Sequence, residues 1–360
     1  MTSPASAPTG AGAVGSIGSI GGWPAVLARL VAGRDLTAAE AEVAMADILA
    51  GQASPAQVGG FLVGLRSKGE TVAELSGLLA GMLAAAAPLP VGSLAEGLVD
   101  TCGTGGDRRG TINVSTLAAL TAAGAGAKVC KHGNRAASSA CGSADLLEAL
   151  GVALDAPPEV VVRCIADAGI GFCLAPNYHP AMRHAGPVRR ELGVPTSFNF
   201  LGPLANPARV RRQIVGVSDP AMAERMIEVL RAHGSTHAMV VYGRDGLDEL
   251  STTAPSAVLE LRNGAVEAYE LDASELGLRP AQLGELTGGD AARNAVLGRA
   301  VLAGEAGPHR DIVVLNAAAA LRVAGLQASW DDAIAAAGAS LDQGDAARAL
   351  ERLVKISNER

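Results

Sequence analysis

Aromatic residues are scarce. Trp, Tyr and Phe make up only 2% of the 360 residues, so no core here is built on large flat side chains. Hydrophobic residues still reach 49%, and the burden falls on Ala, Val, Leu and Ile, whose modest volumes let helices and strands approach closely. Cysteine is equally sparse. Cys102, Cys130, Cys141, Cys164 and Cys173 are odd in number and none sits two to four positions from another. That excludes a disulfide framework and a zinc knuckle, and suits reduced, buried thiols in a cytoplasmic protein. Positive charge is not in excess either: the formal net charge is -7 and the pI near 5.4, which leaves no global field to hold nucleic acid. No run of roughly eighteen strongly apolar residues occurs, so no membrane partner is expected. Residues 1–22 are rich in Ala, Gly and Ser and contain no Lys or Arg. They lack the pattern of a secretory signal and read as a disordered tail.

What remains divides in two. Between residues 23 and 90 the pattern is helical. Thr37 with Glu40, Ser54 with Gln57 and Thr71 with Glu74 each have capping-box spacing, in which two orphan amides at a helix start are satisfied reciprocally. Pro88 and Pro90 then end the helical run and suggest a hinge. Beyond it, short apolar strands at 97–100, 127–130, 170–174, 213–217 and 238–242 alternate with helical segments, which implies a mostly parallel sheet covered by helices. Asn263-Gly264, between apolar runs, predicts a hairpin that adds antiparallel strands. The expected fold is α/β: a small all-helical N-terminal domain, joined by helices from about 179–205, and a larger α/β domain over 95–360.

Three loops carry the chemistry. Asp100-Thr-Cys-Gly-Thr-Gly-Gly-Asp107 follows a predicted strand and precedes a helix. Its glycines let backbone amides approach an anion, and the helix start beyond adds a positive dipole end. The loop matches neither a Walker sequence, since no Gly-Lys-Ser/Thr follows, nor a dinucleotide fingerprint, since Arg108 replaces the third glycine. Alone it is a generic anion loop or an ordinary turn. Asn113-Val-Ser-Thr116 reads as an N-cap or as a second phosphate cradle. Lys131-His-Gly-Asn-Arg-Ala-Ala-Ser-Ser139 reads as a loop at the C-terminal end of the second strand, where ligands of open α/β sheets sit. Farther on, Asp248-Glu249 falls in an expected loop over 243–253, where adjacent carboxylates are free to converge on a cation or simply face water. On a regular strand they would diverge. The segment 179–191 reads as a helix kinked at Pro187, and 198–207 as a rigid structural loop.

In this order, Gly-Thr-Gly-Gly-Asp, Asn-Val-Ser-Thr and Lys-His-Gly-Asn, together with 179–207 and Asp248-Glu249, resemble the anthranilate phosphoribosyltransferase family from about residue 23 to the end. The resemblance implies transfer of the phosphoribosyl group from phosphoribosyl pyrophosphate to the amine of anthranilate, in tryptophan biosynthesis. It implies donor binding by Gly103, Gly106, Asp107, Thr111, Asn113, Ser115, Thr116, Lys131, Gly133, Asn134, Ser138, Ser139 and Ser143. It implies magnesium, two ions per site, at Ser115, Asp248 and Glu249, and anthranilate at Gly103, Asn134 and Arg189, with His132 and His179 lining the acceptor side. A homodimer through the helical domain belongs to the same set of expectations. Because an arylamine is neutral near pH 7, no general acid or base is expected, and catalysis rests on an electrostatic clamp that includes Asp107 and Lys131. Two alternatives stand beside this. A pyrimidine nucleoside phosphorylase-like enzyme would not need the acidic pair, and a non-enzymatic nucleic-acid-binding relative should be basic.

Overall fold

The computed structural model describes residues 15–136 and 139–359. Four helices come first: α1 (Gly22–Val31), α2 (Ala38–Leu49), α3 (Pro55–Lys68) and α4 (Val72–Ala84). Each of α2, α3 and α4 opens on its expected capping box. Their apolar faces meet around Phe61, Leu65, Leu78 and Met45, and Gly77 and Gly81 lie where α4 crosses α2 backbone to backbone. The tail expected over 1–22 is corrected at its end. Ile17–Ile20 forms a 3-10 turn whose isoleucines pack on this core, and α1 begins at Gly22; residues 1–14 lie outside the described ones.

The sheet follows. Its strands are β1 (Leu98–Gly103), β2 (Lys128–Gly133), β3 (Ile170–Leu174), β4 (Arg212–Gly216), β5 (His237–Gly243), β6 (Ser256–Arg262) and β7 (Ala265–Leu271), in the order β3-β2-β1-β4-β5-β6-β7. The first five strands run parallel, and β6 and β7 are antiparallel additions. Asn263 and Gly264 both take positive φ at the hairpin, as a two-residue turn of this type requires.

The remaining helices are α5 (Val114–Gly124), α6 (Ser143–Ala149), α7 (Pro158–Arg163), α8 (Ala175–Tyr178), α9 (Gly186–Leu192), α10 (Ser197–Leu204), α11 (Pro220–Ala232), α12 (Ala291–Leu302), α13 (Pro308–Ala324), α14 (Trp330–Asp342) and α15 (Asp345–Ser357). Helices α5 and α13 cover one face of the sheet, over Val99, Val129, Ile170, Ile214 and Met239. On the opposite face Cys102, Val215, Ala238 and Val240 join α11 and the helical unit in one continuous core. None of the described helices is long and apolar enough to cross a membrane.

Three expectations are revised. The segment 179–191 is not one kinked helix: a 3-10 turn over Pro180–His184 ends, and α9 starts afresh with Pro187 in its first turn, where a missing N–H costs nothing. The stretch 198–207 is largely helical, because Thr196 and Asn199 cap α10 and Pro203 falls only in its last turn. The expected hinge is tied down, with Ala87 donating to the Tyr178 carbonyl at 2.8 Å and Leu89 to that of Pro207 at 3.3 Å. The chain therefore passes between the helical unit and the sheet at three adjacent places, since α9 and α10 pack against α3 and α4.

Candidate active site

Strand alternation sorts the site. Successive side chains leave a strand on opposite faces, and β2 continues past its predicted end to pair Lys131 with Phe172 and Gly133 with Leu174. Lys131 and His132 are thus strand residues and not loop residues, and they point in opposite directions. Lys131 passes under the start of α5, where its ammonium donates to the Thr101 carbonyl and, at 3.4 Å, to Ser115 Oγ. Its stem is buried to 1% exposure, and burial pulls its pKa below the ordinary lysine value against the opposing pull of Asp100 and Glu249. His132 turns toward the helical unit and lies 5.3 Å, ring to ring, from His179.

On the Lys131 side lies a cleft of about 410 Å³ at the C-terminal ends of β1 and β2, walled by the start of α5 and by Asp248 and Glu249. Every residue predicted for the phosphoribosyl donor lines it except Ser138, which lies outside the described residues. In the glycine loop, Gly105 and Gly106 take positive φ. Two of its amides are already engaged: Thr104 N–H donates to the Gly216 carbonyl at 2.8 Å and Gly105 N–H to Asp248 Oδ2 at 2.7 Å. The loop is therefore stitched to β4 and to the acidic pair. Asn113 stands at the N-cap of α5, yet its side chain makes no cap bond. Its amide instead donates to the Cys141 carbonyl at 3.0 Å and accepts from Asn294 at 2.9 Å, bracing the 139–143 segment.

Asp248 and Glu249 do converge, because the chain between β5 and β6 is a loop. Asp245 shapes it by accepting from Leu247 N–H at 3.2 Å, from Ser251 Oγ at 2.6 Å and from the Thr253 hydroxyl. Glu249 accepts from the Ser115 amide at 3.1 Å at the start of α5, while Asp248 reaches the glycine loop, so the three residues predicted for magnesium line one cleft. Burial, then the neighbouring Asp107 charge, raises Asp248 to about 7. Burial and Asp248 hold Glu249 well above the usual carboxylate range. Carboxylates crowded in this way are relieved by a cation. The donor set fits magnesium: oxygen atoms only, a carboxylate pair and a hydroxyl, open to a substrate phosphate. Among the described residues no three His, Cys, Asp or Glu side chains form a closed metal cage.

On the His132 side a cavity of about 640 Å³ opens between the sheet and the helical unit. Arg189, His179, His132 and Asn134 line it, whereas Gly103, expected with them, lies in the cleft wall at the end of β1. His132 and Asn134 border both spaces. Arg189 stacks 5.0 Å from the Phe198 ring centre. His179 Nε2 carries a proton, since it donates to the Ala205 carbonyl at 2.8 Å. Burial and the adjacent His179 push His132 down to about 3, so its ring is neutral.

Comparison with known proteins decides the family. The α/β domain of a glycosyl transferase family matches residues 95–347, and the helical bundle domain of a glycosyl transferase family matches 24–86. An anthranilate phosphoribosyltransferase of Salinispora arenicola is 52% identical over 343 residues, covering 93% of this chain and 97% of that protein. The chain belongs to the anthranilate phosphoribosyltransferase family. The crystal structure of the Thermus thermophilus anthranilate phosphoribosyltransferase superposes with a TM-score of 0.88 at 44% identity, over 93% of this chain and 99% of that one. Two structures of the Saccharomyces cerevisiae anthranilate phosphoribosyltransferase cover 93% of this chain and 97% of theirs. One, in complex with phosphoribosyl pyrophosphate and Mg, has a TM-score of 0.84 at 28% identity; the other, with 4-fluoroanthranilate, 0.82 at 27%.

Several residues of this family member escaped the sequence reading. Asp100 lies buried within β1, its carboxylate accepting from the Asn206 amide at 2.8 Å and from His132 N–H at 3.2 Å, and burial raises it to about 6 despite Lys131. Asn206 also donates to the Cys130 carbonyl at 2.8 Å. Asn199 lines the donor cleft. Asp100 stands at the edge of the glycine-loop motif, and nothing in its spacing announces a buried carboxylate.

Proposed function

We infer that phosphoribosyl transfer to anthranilate, the family's step in tryptophan biosynthesis, takes place where the donor cleft meets the acceptor cavity. The observation that carries this reading is the convergence on one cleft of the glycine loop, Asn113–Thr116, Lys131 and the Asp248-Glu249 pair, with an arginine-bearing cavity against its wall. Ser115, Asp248 and Glu249 would hold magnesium, two ions per site, which when bound neutralises charge on the departing pyrophosphate. Lys131 adds a fixed positive charge below the same cleft, and Gly103–Asp107, Thr111, Asn113 and Thr116 shape the pocket for the donor. Ser139 and Ser143 close the opposite wall with Gly133 and Asn134.

The bond from C1 to pyrophosphate breaks while the bond from C1 to nitrogen forms, and the amine then sheds a proton. Arg189 suits the acceptor carboxylate, because a guanidinium offers a planar pair of donors. Its stacking on Phe198 fixes that fork. His132, at the border, and His179, within the acceptor cavity, both neutral, orient the ring and exclude water. Positioning then supplies much of the acceleration, of the order of 7–11 kcal/mol in well-oriented reactions. The helical unit, 23–90 with α9 and α10, acts as one domain and 95–360 as the other. We place the enzyme in the cytoplasm as a homodimer paired through the helical domain. Initial rates of fluorescent phosphoribosyl-anthranilate formation, with and without magnesium, test the reading. Failure to form that product from the two substrates overturns it.

A further inference from the structure

The middle of α13 is a continuously buried, almost wholly apolar helix segment. From Ile312 to Leu321 every residue is buried, and Asn316 is its one polar member. An amide in such surroundings is costly unless it is bonded, and a leucine of the same branched shape would carry no such demand. Asn316 is 3% exposed and has its partners. Its Oδ1 accepts from Leu250 N–H at 3.1 Å, while its Nδ2 donates to the Leu250 carbonyl at 2.9 Å and to the Ile312 carbonyl at 2.9 Å. Both backbone polar groups of a single loop residue are thus held by one side chain, much as a neighbouring strand would hold them.

Leu250 is the residue directly after Glu249. The Leu250 N–H belongs to the peptide that joins the two, so fixing it fixes the orientation of the peptide plane that carries Glu249. From the other side the Ser115 amide holds the Glu249 carboxylate at 3.1 Å. We propose that Asn316 is a positioning residue that sets Glu249 for divalent-cation binding, linking the buried helix behind the sheet to the metal end of the cleft. This rests on the assignment of Asp248 and Glu249 as cation ligands. Asn316 touches no substrate.

The test is binding of Mn²⁺, followed by electron paramagnetic resonance with the full chain and pyrophosphate present, alongside thermal melting. Asn316→Leu removes all three bonds while keeping the branched side-chain shape, and Asn316→Ser serves if the leucine variant does not fold. Each should weaken Mn²⁺ binding about ten- to a hundredfold, the usual effect of losing a group that orients a metal ligand. Val313→Ala, one turn away in the same buried helix, should lower the melting temperature and leave Mn²⁺ affinity at the wild-type value. Wild-type affinity in the Asn316 variants overturns the proposal, as does an equal loss in Val313→Ala. Glu249→Gln separates the two layers of the argument. If it binds Mn²⁺ normally, the cation assignment itself fails; if it loses Mn²⁺ while the Asn316 variants do not, only the positioning role falls.

Discussion

Gly216→Ala is the most informative single change, because the structure sets its size in advance. Gly216 ends β4 beside the acidic loop, and a Cβ built there would lie 1.6 Å from the Asp248 carbonyl oxygen and 2.5 Å from its carbonyl carbon. A carbon resting against a carbonyl oxygen needs about 3.3 Å, so the loop must retreat by about 1.7 Å. Nothing flexible stands in the way to absorb it, since the obstructing atoms are backbone. Displacements near 1 Å can cost about a hundredfold in rate, so turnover should fall at least that far. The concentration of magnesium for half-maximal rate should rise as well. Alanine is otherwise favoured over glycine inside a strand by roughly 0.5–1 kcal/mol, so crowding is isolated as the cause. Rates of fluorescent product formation across a magnesium titration, with a melting curve on the same sample, give the answer. A folded Gly216→Ala enzyme with ordinary turnover and ordinary magnesium dependence would refute the reasoning.

Other outcomes follow from the same geometry. Arg189→Ala should raise the KM for anthranilate by tenfold or more and leave that for phosphoribosyl pyrophosphate nearly unchanged; an unmoved anthranilate KM removes Arg189 from the acceptor side. Asp107→Ala should lower turnover far more than it lowers the melting temperature, and near-normal magnesium-dependent rates would remove Asp107 from the clamp. With Asp248 raised to about 7 and Glu249 held well above its ordinary value by burial, the cation-free protein holds protons there that the unfolded chain has released. Its stability should therefore decline as pH rises from about 4 toward 7, and cation binding near pH 7 should expel protons, measurable by calorimetry in buffers of different ionisation enthalpy. Proton uptake, or none, contradicts this. Asn206→Ala strips a hydrogen bond from the buried Asp100 carboxylate and should cost about 1.5–3 kcal/mol in urea unfolding, whereas a loss below half a kcal/mol would show that water replaces it.

The sequence reading reached furthest where the signal was local. Thr37, Ser54 and Thr71 announce helix starts because a capping box lies within four residues, and Asn263-Gly264 announces a hairpin because only a few residue pairs take positive φ twice in succession. It stopped short where tertiary contact overrode local pattern. Lys131-His132-Gly133 looked like loop because it is polar, but β3 supplies the hydrogen bonds that keep it in the sheet. The proline-rich stretch ending at Pro207 looked rigid and irregular, but Thr196 and Asn199 start a helix there, and the prolines fall where a helix tolerates them. The family's motif residues could be placed by order alone. Asp100, Gly216 and Asn316 could not, because each matters through a neighbour more than thirty residues away in the chain.

The opposite orientations of Lys131 and His132 have a consequence for how this enzyme can change. One strand feeds two compartments, and the walls of those compartments come from different parts of the chain. The donor side is built from β1, the start of α5 and the β5–β6 loop, whereas the acceptor side is built mainly from residues 176–202 packed on the helical unit. Substitutions around Met182, Pro187 and Phe198 can therefore reshape which amine is admitted while the phosphate-handling loops stay untouched. Choice of nucleophile and activation of the leaving group are separable traits in this architecture, joined, among the described residues, along the short edge where His132 and Asn134 border both.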